Sequence, residues 1–253
     1  MYLSPAGAWS RLGQRWLGRD ADTGERIERS LGSDARAQGR EELIEQWTEA
    51  PRHYGLHATL KPPFRLGAGT SAAQLDASVR ALAQSTAPFE LRLRLERLRG
   101  FMAWCAAADT PGHAQLLSLA NDCVARLDHF RALPGAAELA RRRGGGLLPA
   151  QDANLVRWGY PYVFDTFTFH ITLTRRLDDA TLDAAQAALG ELAQLHGEPL
   201  GCAGLASSAV PSMPVRQISV FVQPDPDAPF VVARHYGFDG STRDGIGAAW
   251  MKP

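Results

Sequence analysis

The sequence predicts an α+β fold made of two similar halves. Three observations lead to this prediction: the tetrapeptide His-x-Thr-Leu occurs twice, each copy lies in an alternating strand pattern, and the same order of elements follows each copy. One copy would arise easily by chance, but two copies are hard to attribute to composition in a chain with seven histidines. The repeat therefore indicates an internal duplication of architecture.

The chain is predicted to open with a short strand at residues 2–3 and two helices. Large apolar residues in the stretch 9–16 recur at the spacing of one buried helix face. A second helix over residues 41–49 is predicted to stop before Pro51, because proline has no N–H and restricts the residue before it.

The first motif lies in a predicted strand over residues 56–61. Successive side chains of a strand point to opposite faces, so the apolar residues of this stretch face a core. The other face then carries the polar residues His57, Thr59 and Lys61.

A helix and a hairpin follow the first motif. Pro62 and Pro63 end the strand, and Ser71-x-x-Gln74 has the pattern of a capping box at the start of a helix. Residues 89–96 alternate strictly between apolar and charged, and residues 102–107 are predicted as the antiparallel partner of that strand.

The second motif and the elements after it repeat this order. Residues 167–174 are predicted as one strand whose polar face carries His170, Thr172 and Thr174. A helix is predicted from residues 178–179 to about residue 197, followed by strands over 217–223 and 230–236.

A helical insertion separates the halves. The predicted organisation is a single domain with a first lobe over about residues 1–108, an insertion over about 109–160, and a second lobe over about 161–253. Within the insertion, Arg141 to Gly146 is a run of three arginines and three glycines. A solvated helix end is favoured there over a phosphate-attracting loop, and the sequence leaves open whether it forms a lid.

Composition restricts the class of protein. The chain has 253 residues, 27 basic and 27 acidic side chains, and 45% apolar residues without a run long enough to span a membrane. We expect a soluble protein without a secretory signal, and three scattered cysteines fit free thiols in the cytoplasm. We expect no cofactor, no metal, no membrane partner and no long nucleic acid, but a small anionic substrate.

Together the two motifs resemble the two-histidine (2H) phosphoesterase superfamily, which includes RNA ligase-like proteins and cyclic phosphodiesterases. The stretches 16–20, 53–64 and 157–162 are similar to a branch of it that is associated with phosphonate breakdown by carbon-phosphorus lyase systems. This resemblance implies a bilobal fold in which two antiparallel sheets face a central cleft, with helices outside. It also implies a phosphoesterase activity.

Opening a cyclic phosphodiester with water needs a base, an acid and donors for the phosphoryl oxygens. His57 and His170 can serve as base and acid, in an order that the sequence does not settle, and Thr59 and Thr172 can donate hydroxyl hydrogen bonds. This scheme needs no metal. The candidate substrate-binding residues are Lys61, Tyr54, Tyr162 and Thr174.

The leading hypothesis is a metal-independent phosphoesterase that hydrolyses a phosphoribosyl cyclic phosphate or a nucleoside 2′,3′-cyclic phosphate, in phosphonate metabolism. The first alternative is an RNA-end-processing cyclic phosphodiesterase or a ligase-like enzyme that uses the same histidines. The zero net charge of the chain weighs against this alternative. The second alternative is a non-catalytic module that binds a phosphate ligand.

Overall fold

The computed structural model describes residues 1–31, 35–201 and 212–251, and it confirms the α+β class. Along the described part of the chain, α-helices alternate with single strands or short groups of strands. Their bounds are α1 Gly7–Leu17, α2 Ala35–Tyr54, α3 Ala72–Gln84, α4 His113–Arg126, α5 Ala136–Arg143, α6 Pro149–Trp158 and α7 Asp179–Leu195.

The described strands form one nine-stranded sheet in which all neighbours are antiparallel. They are β1 Tyr2–Leu3, β2 Ala58–Thr59, β3 Phe89–Leu98, β4 Phe101–Ala106, β5 His170–Thr172, β6 Ser212–Val215, β7 Gln217–Val222, β8 Val231–Gly237 and β9 Thr242–Asp244. Their order across the sheet is β6-β3-β4-β5-β2-β1-β7-β8-β9.

The sheet order interleaves the two predicted lobes. Strand β5, from the second lobe, lies between β4 and β2, which both belong to the first lobe. Strand β1, also from the first lobe, lies next to β7 of the second lobe. The described strands form one continuous sheet, with the two motif strands β2 and β5 paired near its centre, and the predicted pair of facing sheets is not confirmed. The lobe boundaries stay a prediction.

Helix α1 anchors one side of the sheet through its aromatic face. Trp9 and Trp16 are 2% and 0% exposed, and Trp9 makes an edge contact with Trp104 of β4 at 5.1 Å between ring centroids. The Trp16 indole N–H donates to the carbonyl oxygen of Leu173, at 2.8 Å, directly after β5. The predicted aromatic face is thus core, and it fixes the chain beside the second motif.

The predicted elements around each motif are largely confirmed. Helix α3 begins with a capping box in which the Ser71 hydroxyl accepts from the Gln74 N–H at 3.2 Å, and the Gln74 side chain accepts from the Ser71 N–H at 2.9 Å. Strands β3 and β4 form the expected hairpin, and α7 is capped by Asp178. Strands β7 and β8 match the predicted pair.

Three predicted boundaries are wrong. The first motif strand covers only Ala58–Thr59 rather than residues 56–61. Helix α2 does not stop before Pro51 but continues to Tyr54, because a proline near the end of a helix removes only one hydrogen bond of the last turn. The second motif strand covers His170–Thr172 rather than residues 167–174, since a 3₁₀ turn at Phe164–Thr166 precedes it. Phe164 has a φ of 52°, which interrupts the extended backbone.

The segment between β4 and β5 is helical, as predicted, and contains α4, α5 and α6. Cys105 and Cys123 are buried free thiols, whereas Cys202 lies outside the described residues. In the part of the chain that the structure describes, no helix has the length and apolar character needed to cross a membrane.

Candidate active site

The two motifs meet at the centre of the sheet. Strands β2 and β5 are antiparallel neighbours, with Ala58 opposite Ile171, and both of these residues are 0% exposed on the core side. Because side chains alternate between faces, the four polar motif residues lie together on the other face. Because the strands are antiparallel and Ala58 lies opposite Ile171, Thr59 lies opposite His170 and His57 lies opposite Thr172.

The two imidazoles are held in the same way. Atom Nδ1 of His57 lies 2.9 Å from the carbonyl oxygen of Gly55, and Nδ1 of His170 lies 2.9 Å from that of Thr168. A carbonyl oxygen only accepts, so each ring donates its Nδ1–H to the residue two positions earlier. Each neutral ring then keeps its lone pair on Nε2, which is the atom left for chemistry.

Aromatic rings enclose His57. The ring of Tyr2 lies 4.6 Å from the imidazole centroid in an edge contact, and Phe221 lies at 5.6 Å. Burial in these surroundings lowers the pKa of His57 to about 4, with a smaller contribution from the neighbouring His170. His57 is therefore neutral near pH 7, and the Thr59 hydroxyl, 3.2 Å from Nε2, donates to it.

His170 has a different environment. Its ring lies 5.7 Å from that of Phe101, and burial lowers its pKa below the ordinary value, with the positive charge of Arg99 acting in the same direction. The Thr168 carbonyl opposes this shift because it stabilises the protonated ring. The two histidines are thus related by position and hydrogen bonding but differ in their neighbours.

Both histidines line a cavity of about 400 Å³, together with Thr59 and Thr172. The same cavity is lined by Tyr54, at the end of α2, and its contact with substrate stays a prediction. Arg175 and Arg176 also line it, and the sequence analysis missed them. The signal was available, since these two cations directly follow the second motif.

Both motifs end in the same backbone irregularity, which corrects two predictions. The N–H groups of Leu60 and Lys61 both donate to the Met1 carbonyl, each at 3.0 Å. Those of Leu173 and Thr174 both donate to the Met102 carbonyl, at 2.9 and 3.3 Å. Two successive donors on one acceptor break the strand alternation, so the face of the last residue of each motif no longer follows from the alternation.

Lys61 does not line the histidine cavity. Its side chain is 1% exposed, and Nζ donates to Asp128 at 3.1 Å and to the Val124 carbonyl at 3.2 Å. Burial lowers the pKa of Lys61, and the Asp128 carboxylate opposes that shift. The geometry supports a structural ion pair in place of the predicted contact with substrate.

The other two candidate binding residues also have structural partners. Thr174 borders the cavity but is 0% exposed, and its hydroxyl oxygen accepts from the Met102 N–H at 2.9 Å. Tyr162 does not line the cavity; it packs against Tyr160 and lies under the Arg99 guanidinium, 5.3 Å from its ring centroid. Tyr162 thus lies outside the cavity, whereas contact between Thr174 and a substrate stays a prediction.

A separate histidine network lies across β7 and β8. His235 Nδ1 is 2.7 Å from the Ser219 hydroxyl, and Nε2 is 2.5 Å from Asp22. Ser219 is 0% exposed and His235 is 2% exposed, although His235 and Asp22 also border a separate cavity of about 250 Å³. We interpret the network as a satisfied buried set of polar groups.

Within residues 1–31, 35–201 and 212–251, no group of three or more His, Cys, Asp or Glu side chains is arranged to hold a metal ion. The polar side chains that line the histidine cavity include the two imidazoles, the two arginines, Thr59, Thr172, Thr174 and Tyr54. Metal independence stays a prediction.

Comparison with known proteins gives a family model that matches residues 59–231, most of the chain. Its description is "Protein of unknown function (DUF1045)". The matched region begins at Thr59 and includes the whole second motif.

Two curated relatives carry the name ribose 1,5-bisphosphate phosphokinase PhnN. The chain is 34% identical over 239 residues to one from Laribacter hongkongensis (strain HLHK9), covering 92% of this chain and 50% of that protein. It is 32% identical over 243 residues to one from Janthinobacterium sp. (strain Marseille), covering 95% and 50%. The chain thus spans about half the length of these curated relatives.

Proposed function

The chain belongs to the DUF1045 family, whose description assigns no activity, and from this premise we propose that it is a phosphoesterase that hydrolyses a small cyclic phosphodiester through its two motif histidines. We further propose that it is a member of the 2H phosphoesterase superfamily and that it acts without a metal ion. The paired centre of the sheet would then correspond to the floor of the cleft that the bilobal fold implies.

One observation supports this proposal above the others. His57 and His170 come from paired strands, each donates Nδ1–H to the carbonyl two residues earlier, and both line one cavity. A carbonyl partner on Nδ1 orients the ring and favours proton uptake at Nε2. Two such rings on one cavity suit a reaction that removes one proton and delivers another.

The environments of the rings favour one assignment of roles. His57, with a pKa of about 4, is neutral near pH 7 and accepts a proton from the attacking water. The water oxygen forms a bond to phosphorus, and the bond from phosphorus to one ester oxygen breaks. His170, protonated beside the anionic phosphodiester, gives its proton to that departing oxygen, and the product is a phosphomonoester.

The remaining polar groups of the cavity complete the scheme. Thr172 donates its hydroxyl hydrogen bond to a non-bridging oxygen, where negative charge grows in the transition state, and Thr59 does the same once the attacking water replaces its hydroxyl as the donor to Nε2 of His57. Arg175 and Arg176 add positive charge at the same cavity. Charge at this position favours an anionic substrate and stabilises the product phosphate.

The class of substrate is a cyclic phosphate of ribose, either a phosphoribosyl cyclic phosphate or a nucleoside 2′,3′-cyclic phosphate, in phosphonate metabolism. The resemblance of residues 53–64 and 157–162 supports this context. The names of the curated relatives also concern a phosphorylated ribose.

Those names favour a second candidate, an ATP-dependent kinase acting on ribose 1,5-bisphosphate. However, the chain spans about half of each relative, so the kinase can lie in the other half. The sequence contains no Gly-Lys pair and therefore no Gly-x-x-x-x-Gly-Lys-Ser/Thr loop, which is a common site for nucleotide phosphates. The side chain of Lys61 is buried and ion-paired with Asp128.

The test is product release from α-ribose 1,2-cyclic phosphate, its 5-phosphate, and the four nucleoside 2′,3′-cyclic phosphates, all in EDTA. The variants are His57→Asn and His170→Asn, since asparagine keeps a donor near Nδ1 and removes Nε2. The exposed His113 on α4, changed to asparagine, is the control. We expect the two site variants to lose about 10²- to 10⁴-fold in kcat, and the control to lose nothing.

Other outcomes would select the alternatives. Turnover that EDTA abolishes would contradict metal independence. Formation of ADP from Mg–ATP and ribose 1,5-bisphosphate by this chain would favour the kinase. Turnover only of cyclic phosphates on RNA ends would favour the RNA-processing enzyme, and binding of cyclic phosphates without turnover would favour the binding module.

A further inference from the structure

A second and larger cavity adjoins the histidine cavity. Its volume is about 560 Å³, and it shares Tyr2 and Pro63 as walls with the 400 Å³ cavity that the histidines line. The two cavities are therefore adjacent. The proposed reaction at the histidines makes no use of this space.

The second cavity is strongly basic. Four arginines and one glutamate line it, although the chain as a whole has a formal net charge of zero. The arginines are Arg65, Arg131, Arg141 and Arg142, and the glutamate is Glu138. Such a concentration of guanidinium groups suits a phosphate or a similar anion.

Arg131 provides an independent indication of a ligand. Its side chain is only 8% exposed, and Nε and one terminal nitrogen bind Asp128 at 2.9 and 3.1 Å. The other terminal nitrogen, Nη1, is buried and has no hydrogen-bond partner among the described residues. A buried charged donor without an acceptor is costly, so this atom is expected to gain an acceptor when the cavity is filled.

The backbone beside Arg131 leaves room for that group. Gly159, which ends α6 with a φ of 73°, lies against the guanidinium and also lines the cavity. A Cβ atom at this position would lie 2.9 Å from Nη1 of Arg131. Glycine therefore serves both the left-handed backbone and the close approach of the arginine.

Arg141 and Arg142 come from the last turn of α5, which the sequence analysis favoured as a solvated helix end. The structure places both at the cavity wall. Arg142 is held by Glu138 at 3.2 Å and stacks over Tyr160 at 5.5 Å. Arg143, the next residue, pairs with Asp152 at 2.6 Å and does not line the cavity.

We propose that this basic cavity binds a phosphomonoester group on the same molecule whose cyclic phosphodiester lies at the histidines. The proposal rests on the proposed function and defines its substrate more closely: a ribose cyclic phosphate with a second, terminal phosphate. The arginines of the cavity suit a phosphate dianion, and the two shared wall residues place the two cavities side by side. A nucleoside 2′,3′-cyclic phosphate without a 5′-phosphate would leave the basic cavity empty.

The experiment compares α-ribose 1,2-cyclic phosphate with and without a 5-phosphate. We expect the 5-phosphate to raise kcat/KM of the wild type about tenfold to a hundredfold, the effect of one or two charge-assisted hydrogen bonds. In Arg131→Gln and Arg142→Gln, the ratio of kcat/KM with the 5-phosphate to kcat/KM without it should fall close to one. Arg143→Gln is the matched control and should keep it, because Arg143 lies on the same turn but points to Asp152.

Equal kcat/KM for the two substrates in the wild type would overturn the inference while leaving the proposed hydrolysis intact. If neither substrate is hydrolysed, binding of ribose 5-phosphate is measured by calorimetry. Binding that Arg142→Gln weakens and Arg143→Gln preserves would support the phosphate site without the hydrolase. No binding to any of the proteins would overturn it. Arg142→Gln serves as a second variant because Arg131 also pairs with Asp128, and its loss can affect folding.

Discussion

Nδ1 of His57 lies 2.9 Å from the carbonyl oxygen of Gly55. Gly55 has a φ of 77°, a conformation that residues with a Cβ adopt only at a cost. The direction of this carbonyl, and with it the orientation of the proposed base, therefore depends on a glycine that the sequence analysis did not select. The site begins two residues before the motif.

Gly55→Ala should lower both stability and activity. A Cβ at this position would lie 2.7 Å from the Cβ of Ala21, in addition to the left-handed cost of about 1–2 kcal/mol. Gly69→Ala is the control, because Gly69 has a φ of 81° with nothing within 4 Å. In urea unfolding we expect the free energy of unfolding to fall clearly more in Gly55→Ala than in Gly69→Ala. The kcat/KM of Gly55→Ala should also fall. Equal losses would contradict the contact argument.

The buried His57 should make the fold less stable in acid. Its pKa is about 4 in the fold and about 6.5 in an unfolded chain, so between these values the unfolded chain binds the proton more readily. The free energy of unfolding should therefore fall as pH decreases from 6.5 toward 4, and this group should have no effect above that window. His170, whose pKa burial also lowers, acts in the same direction.

Urea unfolding at pH 7, 6 and 5 measures this effect. His57→Gln removes the titrating group, so its stability should fall less steeply with acid than that of the wild type. His113→Gln, at an exposed position, should retain the wild-type slope. The same slope in His57→Gln and wild type would show that the imidazole is not desolvated as the structure indicates.

Local pattern predicted much of the fold, and what it missed is non-local. The hairpin of β3 and β4 and the capping box at Ser71 depend on neighbours in sequence, and both were predicted. The pairing of Ala58 with Ile171 was not, because alternation defines the faces of a strand but not its partner. The pairing therefore had to come from the structure.

The candidate site shows the same limit. The motif residues were placed on the correct face by alternation, but Lys61 was not, since the shared Met1 carbonyl ends the alternation one residue earlier. Arg131 had no motif to mark it. Its position depends on Gly159 and Asp128, and only tertiary structure brings these together around the guanidinium.

The hydroxyl of Thr172 should contribute to catalysis rather than to folding. Thr172→Val keeps the branched shape that suits a strand and removes the donor, so we expect kcat to fall about 10²-fold or more with little change in stability. Thr172→Ser should recover most of the activity. Thr174→Val is the contrast, because its hydroxyl accepts from the buried Met102 N–H.

For Thr174→Val the main loss should be in stability, on the order of 1–3 kcal/mol, since a buried donor is left unpaired. Steady-state kinetics and urea unfolding of the three variants separate the two effects. A stable Thr174→Val with a large loss in kcat would support the prediction that this residue contacts substrate.

The ion pair of Lys61 and Asp128 gives an ordering of stabilities. Lys61→Met leaves Asp128 with both hydrogen bonds from Arg131, at 2.9 and 3.1 Å, so we expect a loss on the order of 1–3 kcal/mol. Asp128→Ala leaves Lys61 buried with the Val124 carbonyl as its remaining acceptor. An uncompensated buried charge of this kind costs about 3–5 kcal/mol.

Urea unfolding should therefore rank wild type above Lys61→Met, and Lys61→Met above Asp128→Ala. Because Lys61 lies outside the histidine cavity, folded Lys61→Met should retain the wild-type kcat/KM on the cyclic phosphate. The opposite pattern, full stability with lost activity, would mean that Lys61 reaches the substrate, as the alternation of the first motif had predicted. The comparison thus decides whether the N–H groups of Leu60 and Lys61 still share the Met1 carbonyl when substrate is bound. Only a regular strand without this irregularity would bring Lys61 to the motif face.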